Sequence, residues 1–295
     1  MKLQTDVNFP TPGLPDGRSI ELPGRGTTFI REAAGPEGAP TLLLLHGWTA
    51  NSALNFYATY APLAQHFNIV GIDHRGHGYG IRTRSRFQLE DCADDAAMIL
   101  DVLGLRSVIP VGYSMGGPIA QLLWQRHPSR VSGLVFCATA ARFRDPRKDR
   151  FISGVVTGLS FASRVVPPSV NRRVSERVLV SKYDTTPLGH WAREQARLND
   201  LRTMIEAGHI VASFDSLDWI HRVDVPTASV ITVRDETVRP ERQHQLADAI
   251  GGTTKFPVDG RHDVCATRPE RFNDALLLAA TDVKDRMRRE AHGAA

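Results

Sequence analysis

Three observations predict an α/β fold, a mostly parallel sheet of about eight strands with helices on both faces and a helical cap insertion. Short apolar, β-branched runs alternate with stretches of helical periodicity. One such run passes through Gly112-Tyr113-Ser114-Met115-Gly116 straight into a helix-like pattern. The alternation lapses after residue 138 and resumes at 227. The 295 residues therefore divide into a first core part (1–138), a cap insertion (139–226) and a second core part (227–295).

The N-terminal 18 residues carry Gly13 and three prolines and read as an irregular arm. Residues 19–33 contain a Gly24-Arg25-Gly26 turn between extended runs, the pattern of an antiparallel hairpin at a sheet edge. Thr41-Leu42-Leu43-Leu44-Leu45 is apolar throughout and too short for a helix, which marks a strand covered on both faces. A helical stretch over 52–67 leads to a second buried strand, 68–72, and then to the loop Asp73-His74-Arg75-Gly76-His77-Gly78. Residues 87–103 read as a helix whose Glu90, Asp91, Asp94 and Asp95 lie near its positive end. The strand 108–111 with its following helix, and a strand over 131–137, complete the first part.

The insertion has amphipathic segments over 151–166, 171–179, 188–207 and 210–220, punctuated by Pro167-Pro168 and Pro187. A strand over 228–233, a helix over 241–250, a last strand over 253–258 and a closing helix over 269–289 follow.

Composition narrows the function. Hydrophobic residues at 42% and charged residues at 23% are ordinary for a globular enzyme with a sizeable core. The net charge is +4, but the densest basic cluster, Arg142, Arg144, Arg147, Lys148 and Arg150, is interrupted by Asp145 and Asp149 and lacks interleaved aromatics. It reads as a solvated face, and no nucleic-acid partner is expected. Cys92, Cys137 and Cys265 share no metal-ligand spacing, and a sparse, odd set suits a reducing compartment. Met1 to Ile20 has no apolar signal core and no run reaches the length of a membrane span, so a cytoplasmic location is expected.

Gly112-x-Ser114-x-Gly116 between a strand and a helix is a nucleophile elbow: the serine sits in a strained turn and only glycines let strand and helix approach. A serine that transfers an acyl group needs a base, a group to orient that base, and donors for the oxyanion. His262, just beyond the last strand, is the expected base, and Asp235, after the 228–233 strand, is preferred over Glu236 as the orienting acid. The order Ser114, Asp235, His262 differs from that of trypsin-like and subtilisin-like proteases. The backbone N–H groups of Trp48 and Met115 are the expected oxyanion donors. His46 is expected to brace the Trp48 loop rather than move protons.

His74 and His77 lack a carboxylate partner pattern, so no metal is expected, and Gly76 and Gly78 do not complete a dinucleotide fingerprint. No cofactor is implied. Trp48, Trp191 and Trp219 are the substrate-binding candidates. With Phe151, Ile152, Val155 and Phe161 the insertion has the character of a pocket for a hydrophobic acyl or aromatic group, or equally of a packing face.

Leu45-His46-Gly47-Trp48, Asp73-His74-Arg75-Gly76-His77-Gly78, Gly112-Tyr113-Ser114-Met115-Gly116-Gly117, Asp235-Glu236-Thr237-Val238 and His262 together resemble the α/β-hydrolase superfamily in order and spacing, over about residues 19–289. The branch they are similar to holds small bacterial esterases, cofactor-free haloperoxidases and carbon–carbon bond hydrolases. Ser114 departs from the aspartate of epoxide hydrolases and haloalkane dehalogenases, and Arg261 stands where many members have glycine before the histidine. The resemblance implies a serine hydrolase acting on a small-molecule hydrophobic ester. A carbon–carbon bond hydrolase of vinylogous diketones and a non-catalytic ligand receptor are the alternatives.

Overall fold

The structure, a computed structural model, describes residues 13–143 and 186–293. Eight strands form one sheet in the order β1-β2-β4-β3-β5-β6-β7-β8. They are β1 (Gly17–Leu22), β2 (Gly26–Ala33), β3 (Thr41–Leu45), β4 (Asn68–Ile72), β5 (Ile109–Tyr113), β6 (Leu134–Cys137), β7 (Thr227–Thr232) and β8 (Thr254–Val258). β2 runs antiparallel to both of its neighbours, and every pair from β4 to β8 is parallel.

The two-sided burial expected of β3 follows from the strand period of two. Leu43 and Leu45 join one core while Leu42 and Leu44 join the other, and all four are fully buried. Burying each leucine contributes roughly 1.5–3 kcal/mol. The first core packs the sheet against α3 (Leu89–Val102) and α4 (Gly116–Arg126). The second packs it against α1 (Ser52–Phe56), α2 (Tyr60–Ala64) and the long C-terminal helix (Pro269–Gly293). The acidic start of α3 holds the fold as well as suiting the dipole: Asp95 pairs with Arg25 and Arg75, and Asp94 with Arg126 and His127.

Two helices are broken where continuous ones were expected. The 52–67 stretch is two short helices because Pro62 has no N–H for the Ala58 carbonyl, which accepts from Asn273 Nδ2 instead, at 2.7 Å. The 188–207 stretch is α5 (Pro187–Arg197) and α6 (Leu201–Ser213), with Asp200 capping the second through the Thr203 N–H at 2.8 Å. The 210–220 segment is not a separate helix; it is the end of α6, an irregular stretch and a 3-10 turn over Ile220–Arg222. The 151–166 and 171–179 segments lie outside the described residues. Among the described residues no helix is long and apolar enough to cross a membrane.

Candidate active site

β5 delivers Ser114 and α4 begins at Gly116. Ser114 has φ 52°, the left-handed region that L-residues other than Asn and Asp seldom occupy. Space requires the flanking glycines: a Cβ on Gly112 would lie 2.5 Å from the Gly116 carbonyl oxygen, and one on Gly116 only 2.0 Å from that of Leu45. The turn is pinned on both sides. Ser114 N–H donates to the Cys137 carbonyl at 2.9 Å, and its own carbonyl accepts from the Thr139 hydroxyl at 2.7 Å.

His262 and Asp235 arrive from the ends of β8 and β7. His262 Nε2 lies 2.9 Å from Ser114 Oγ, and His262 Nδ1 lies 2.7 Å from Asp235 Oδ2. An ionised carboxylate only accepts, so Nδ1 carries the proton and the Nε2 lone pair faces the serine hydroxyl. Asp235 is buried yet well solvated by the protein. Its Oδ1 accepts the Thr237 and Val238 N–H groups, each at 2.8 Å, and its Oδ2 accepts the Thr232 hydroxyl at 2.8 Å. Glu236 is turned to solvent, 4.0 Å from the exposed Arg261.

The loop after β3 lies across from Ser114. Gly47 keeps the loop close to the serine, since a Cβ there would stand a tight 3.3 Å from both Ser114 Cβ and Asn55 Oδ1. His46 braces this loop: its Nδ1 donates to the Gly47 carbonyl at 2.8 Å and its Nε2 accepts the His74 N–H at 3.0 Å. The Gly47 carbonyl belongs to the peptide that carries the Trp48 N–H. Among the described residues, neither the Trp48 nor the Met115 backbone N–H donates to a protein acceptor. His74 and His77 pack around His46, with ring centroids 4.3 and 5.1 Å from it, and all three are buried. Burial lowers all three imidazoles, those of His74 and His77 well below the ordinary histidine range.

Ser114 and His262 open on a pocket of about 510 Å³. Trp48, Leu54, Tyr57, Leu188 and Trp191 give it an apolar wall. α5 supplies Leu188 and Trp191, whose ring meets Tyr57 edge-on at 5.6 Å. The Trp48 indole N–H donates to the Met204 carbonyl of α6 at 2.7 Å, and Asn199 joins the Thr49 carbonyl to the Gly78 N–H. These bonds tie α6 and the residue before its cap to the loop after β3 and to the Gly78 turn.

Of the three tryptophan candidates, Trp48 and Trp191 line this pocket and Trp219 does not. Trp219 stacks on Trp124 of α4 at 6.5 Å, because the chain after α6 folds back onto the first core. Phe151, Ile152, Val155 and Phe161 lie outside the described residues. The sequence reading missed Asn55, Thr139 and Gln243, which hold the loop, the elbow and the acid. Thr139 carried a faint signal, since it stands two residues beyond the strand beside the elbow.

The family description "alpha/beta hydrolase fold" matches residues 40–269. A protein of Mycobacterium phage D29 that carries the name non-heme haloperoxidase is 27% identical over 257 residues, covering 83% of this chain and 89% of that one. A hydrolase from Pseudomonas aeruginosa PA01 superposes with a TM-score of 0.76 at 19% identity, over 90% of this chain and 98% of that one. An esterase from Exiguobacterium antarcticum does so with a TM-score of 0.72 at 21% identity, over 89% and 98%.

Proposed function

The chain belongs to the alpha/beta hydrolase family, and from that premise we propose that it is a serine hydrolase cleaving a carboxylic ester of a small to medium hydrophobic substrate. The observation that carries this reading is the run of hydrogen bonds from Asp235 through His262 to Ser114, ending in an apolar pocket.

Ser114 Oγ attacks the acyl carbonyl while His262 Nε2 accepts its proton. Asp235 holds the ring tautomer and stabilises the imidazolium. The oxyanion of the tetrahedral intermediate accepts from the Trp48 and Met115 amides, where one such donor is worth roughly 10²–10³-fold in kcat. Collapse of the intermediate expels the alcohol, which takes the His262 proton. Water then attacks the acyl-enzyme by the same route, releasing the acid and restoring Ser114. Residues 139–226 act as the cap that shapes the acyl pocket, with Trp48 and Trp191 as substrate contacts.

The test is turnover of p-nitrophenyl esters from short to long acyl chains by the wild type and by Ser114→Ala, with a vinylogous diketone assayed in parallel. The expected result is ester turnover with a short to medium optimum, lowered about 10⁴-fold or more in Ser114→Ala without loss of folding. Near-wild-type ester hydrolysis by Ser114→Ala would overturn the reading, and exclusive turnover of the diketone would move it to carbon–carbon bond cleavage.

A further inference from the structure

The loop after β3 carries backbone strain that the acyl transfer does not itself require. Thr49 has φ 63°, in the left-handed region that a β-branched residue seldom adopts. It directly follows Trp48, whose backbone N–H donates to no protein acceptor among the described residues. The strain therefore sits beside the expected oxyanion donor.

Thr49 is held from the link between α5 and α6. Asn199 Nδ2 donates to the Thr49 carbonyl at 3.1 Å. Asn199 is buried and is itself fixed from behind: its Oδ1 accepts the Gly78 N–H at 2.9 Å, and the Asp200 N–H donates to the Gly76 carbonyl at 2.8 Å. The start of α6 presses on that turn so closely that a Cβ on Gly76 would lie 2.2 Å from Thr203 Cγ2. The two residues flanking Thr49 at one remove or less are held from the same side. Trp48 Nε1 donates to the Met204 carbonyl at 2.7 Å, its ring lies against Gly208, where a Cβ would stand 2.7 Å from Cζ2, and Asn51 Nδ2 donates to Gln195 Oε1 at 3.0 Å. Of these three bonds, only that of Asn199 falls on the backbone of the strained residue.

We propose that Asn199 is a positioning residue for the oxyanion donor: by holding the Thr49 carbonyl it keeps the strained backbone in place, and with it the Trp48 N–H turned toward the carbonyl that Ser114 attacks. The proposal rests on the serine-hydrolase reading above. Without this bond Thr49 relaxes to negative φ and the donor leaves the developing charge, so the loss falls on the transition state and not on substrate binding. Two substitutions separate this role from packing. In Asn199→Asp an ionised carboxylate still accepts the Gly78 N–H but has no proton for the Thr49 carbonyl. In Thr49→Gly the residue takes positive φ as readily as negative, so the loop no longer depends on the Asn199 bond.

The experiment measures kcat and KM for a p-nitrophenyl ester, and the inhibition constant of a trifluoromethyl ketone, which adds to the serine as a tetrahedral oxyanion, in the wild type, Asn199→Ala, Asn199→Asp, Thr49→Gly and the Thr49→Gly/Asn199→Ala double variant. Asn199→Ala and Asn199→Asp should each lower kcat about tenfold with KM within about twofold, and should weaken the ketone by about the factor lost in kcat/KM. In the Thr49→Gly background, Asn199→Ala should cost about twofold or less. The proposal is overturned if Asn199→Asp keeps the wild-type kcat, if Asn199→Ala costs as much in the Thr49→Gly background as in the wild type, or if kcat falls while the ketone binds unchanged. Asn199→Asp, which keeps the Gly78 bond, carries the same comparisons in both backgrounds should Asn199→Ala fail to fold. A wild type that neither turns over the ester nor labels with a fluorophosphonate removes the serine-hydrolase reading and this proposal with it. An active wild type matched by its Asn199 variants removes the role of Asn199 alone.

Discussion

Ser114 at φ 52° occupies backbone space that costs a non-glycine residue roughly 1–3 kcal/mol, and the bonds to Cys137 and Thr139 hold it there. Its partners were legible because each follows an apolar strand. His262 and Asp235 needed no more than their place in the strand order, and the structure sets His262 2.9 Å from Ser114 Oγ and 2.7 Å from Asp235 Oδ2. Asp235→Asn tests the orienting role. An amide at 235 favours the wrong imidazole tautomer, so kcat should fall about 10⁴-fold with KM little changed. Retention of kcat within about tenfold, measured on the best p-nitrophenyl ester, would hand the role to another group. Asn55, Thr139 and Gln243 were not legible, because only the folded sheet brings residues from three separate segments to the Gly47 loop, the Ser114 turn and Asp235. Trp219 illustrates the converse: a tryptophan in an insertion signals burial but not which surface it will bury against.

Strands were read more faithfully than helices. The leucines of β3 announce a two-faced strand by being apolar at every position, and the Gly24-Arg25-Gly26 turn announces its hairpin. The helix breaks at 57–59 and 198–200 depend on partners far along the chain. Asn273 takes the carbonyl that Pro62 leaves free, and Asn199 and Asp200 serve the Gly78 loop and the next helix. Local periodicity carries no record of such partners. The strand expected over 131–137 begins at Leu134, since Val131 makes only an isolated bridge to Val108. None of these differences moves the site, because the strand ends that present Ser114, Asp235 and His262 were placed from the strongest signals.

At the scale of the molecule, two cores clamp the sheet, and the His46, His74 and His77 cluster sits where the loop after β3 meets the Gly76 and Gly78 turn. This cluster makes the fold acid-sensitive. Burial holds the three imidazoles below their ordinary value of 6.5, so beneath that pH the unfolded chain takes up protons that the folded chain refuses. Their contribution is complete above pH 6.5 and is lost as pH falls toward the lowered folded values. The slope is up to about 1.4 kcal/mol per pH unit for each histidine. Urea unfolding midpoints should therefore drop measurably between about pH 7.5 and 5.5, above the range where most carboxylates titrate. An unchanged midpoint would contradict a neutral buried cluster. The central claim, that Ser114 is the acylated nucleophile, is tested most directly by the intact mass of the protein after treatment with a fluorophosphonate, followed by peptide mapping. A single adduct on Ser114, absent from Ser114→Ala, is the predicted result; an adduct on another residue, or none on the folded wild type, would contradict it.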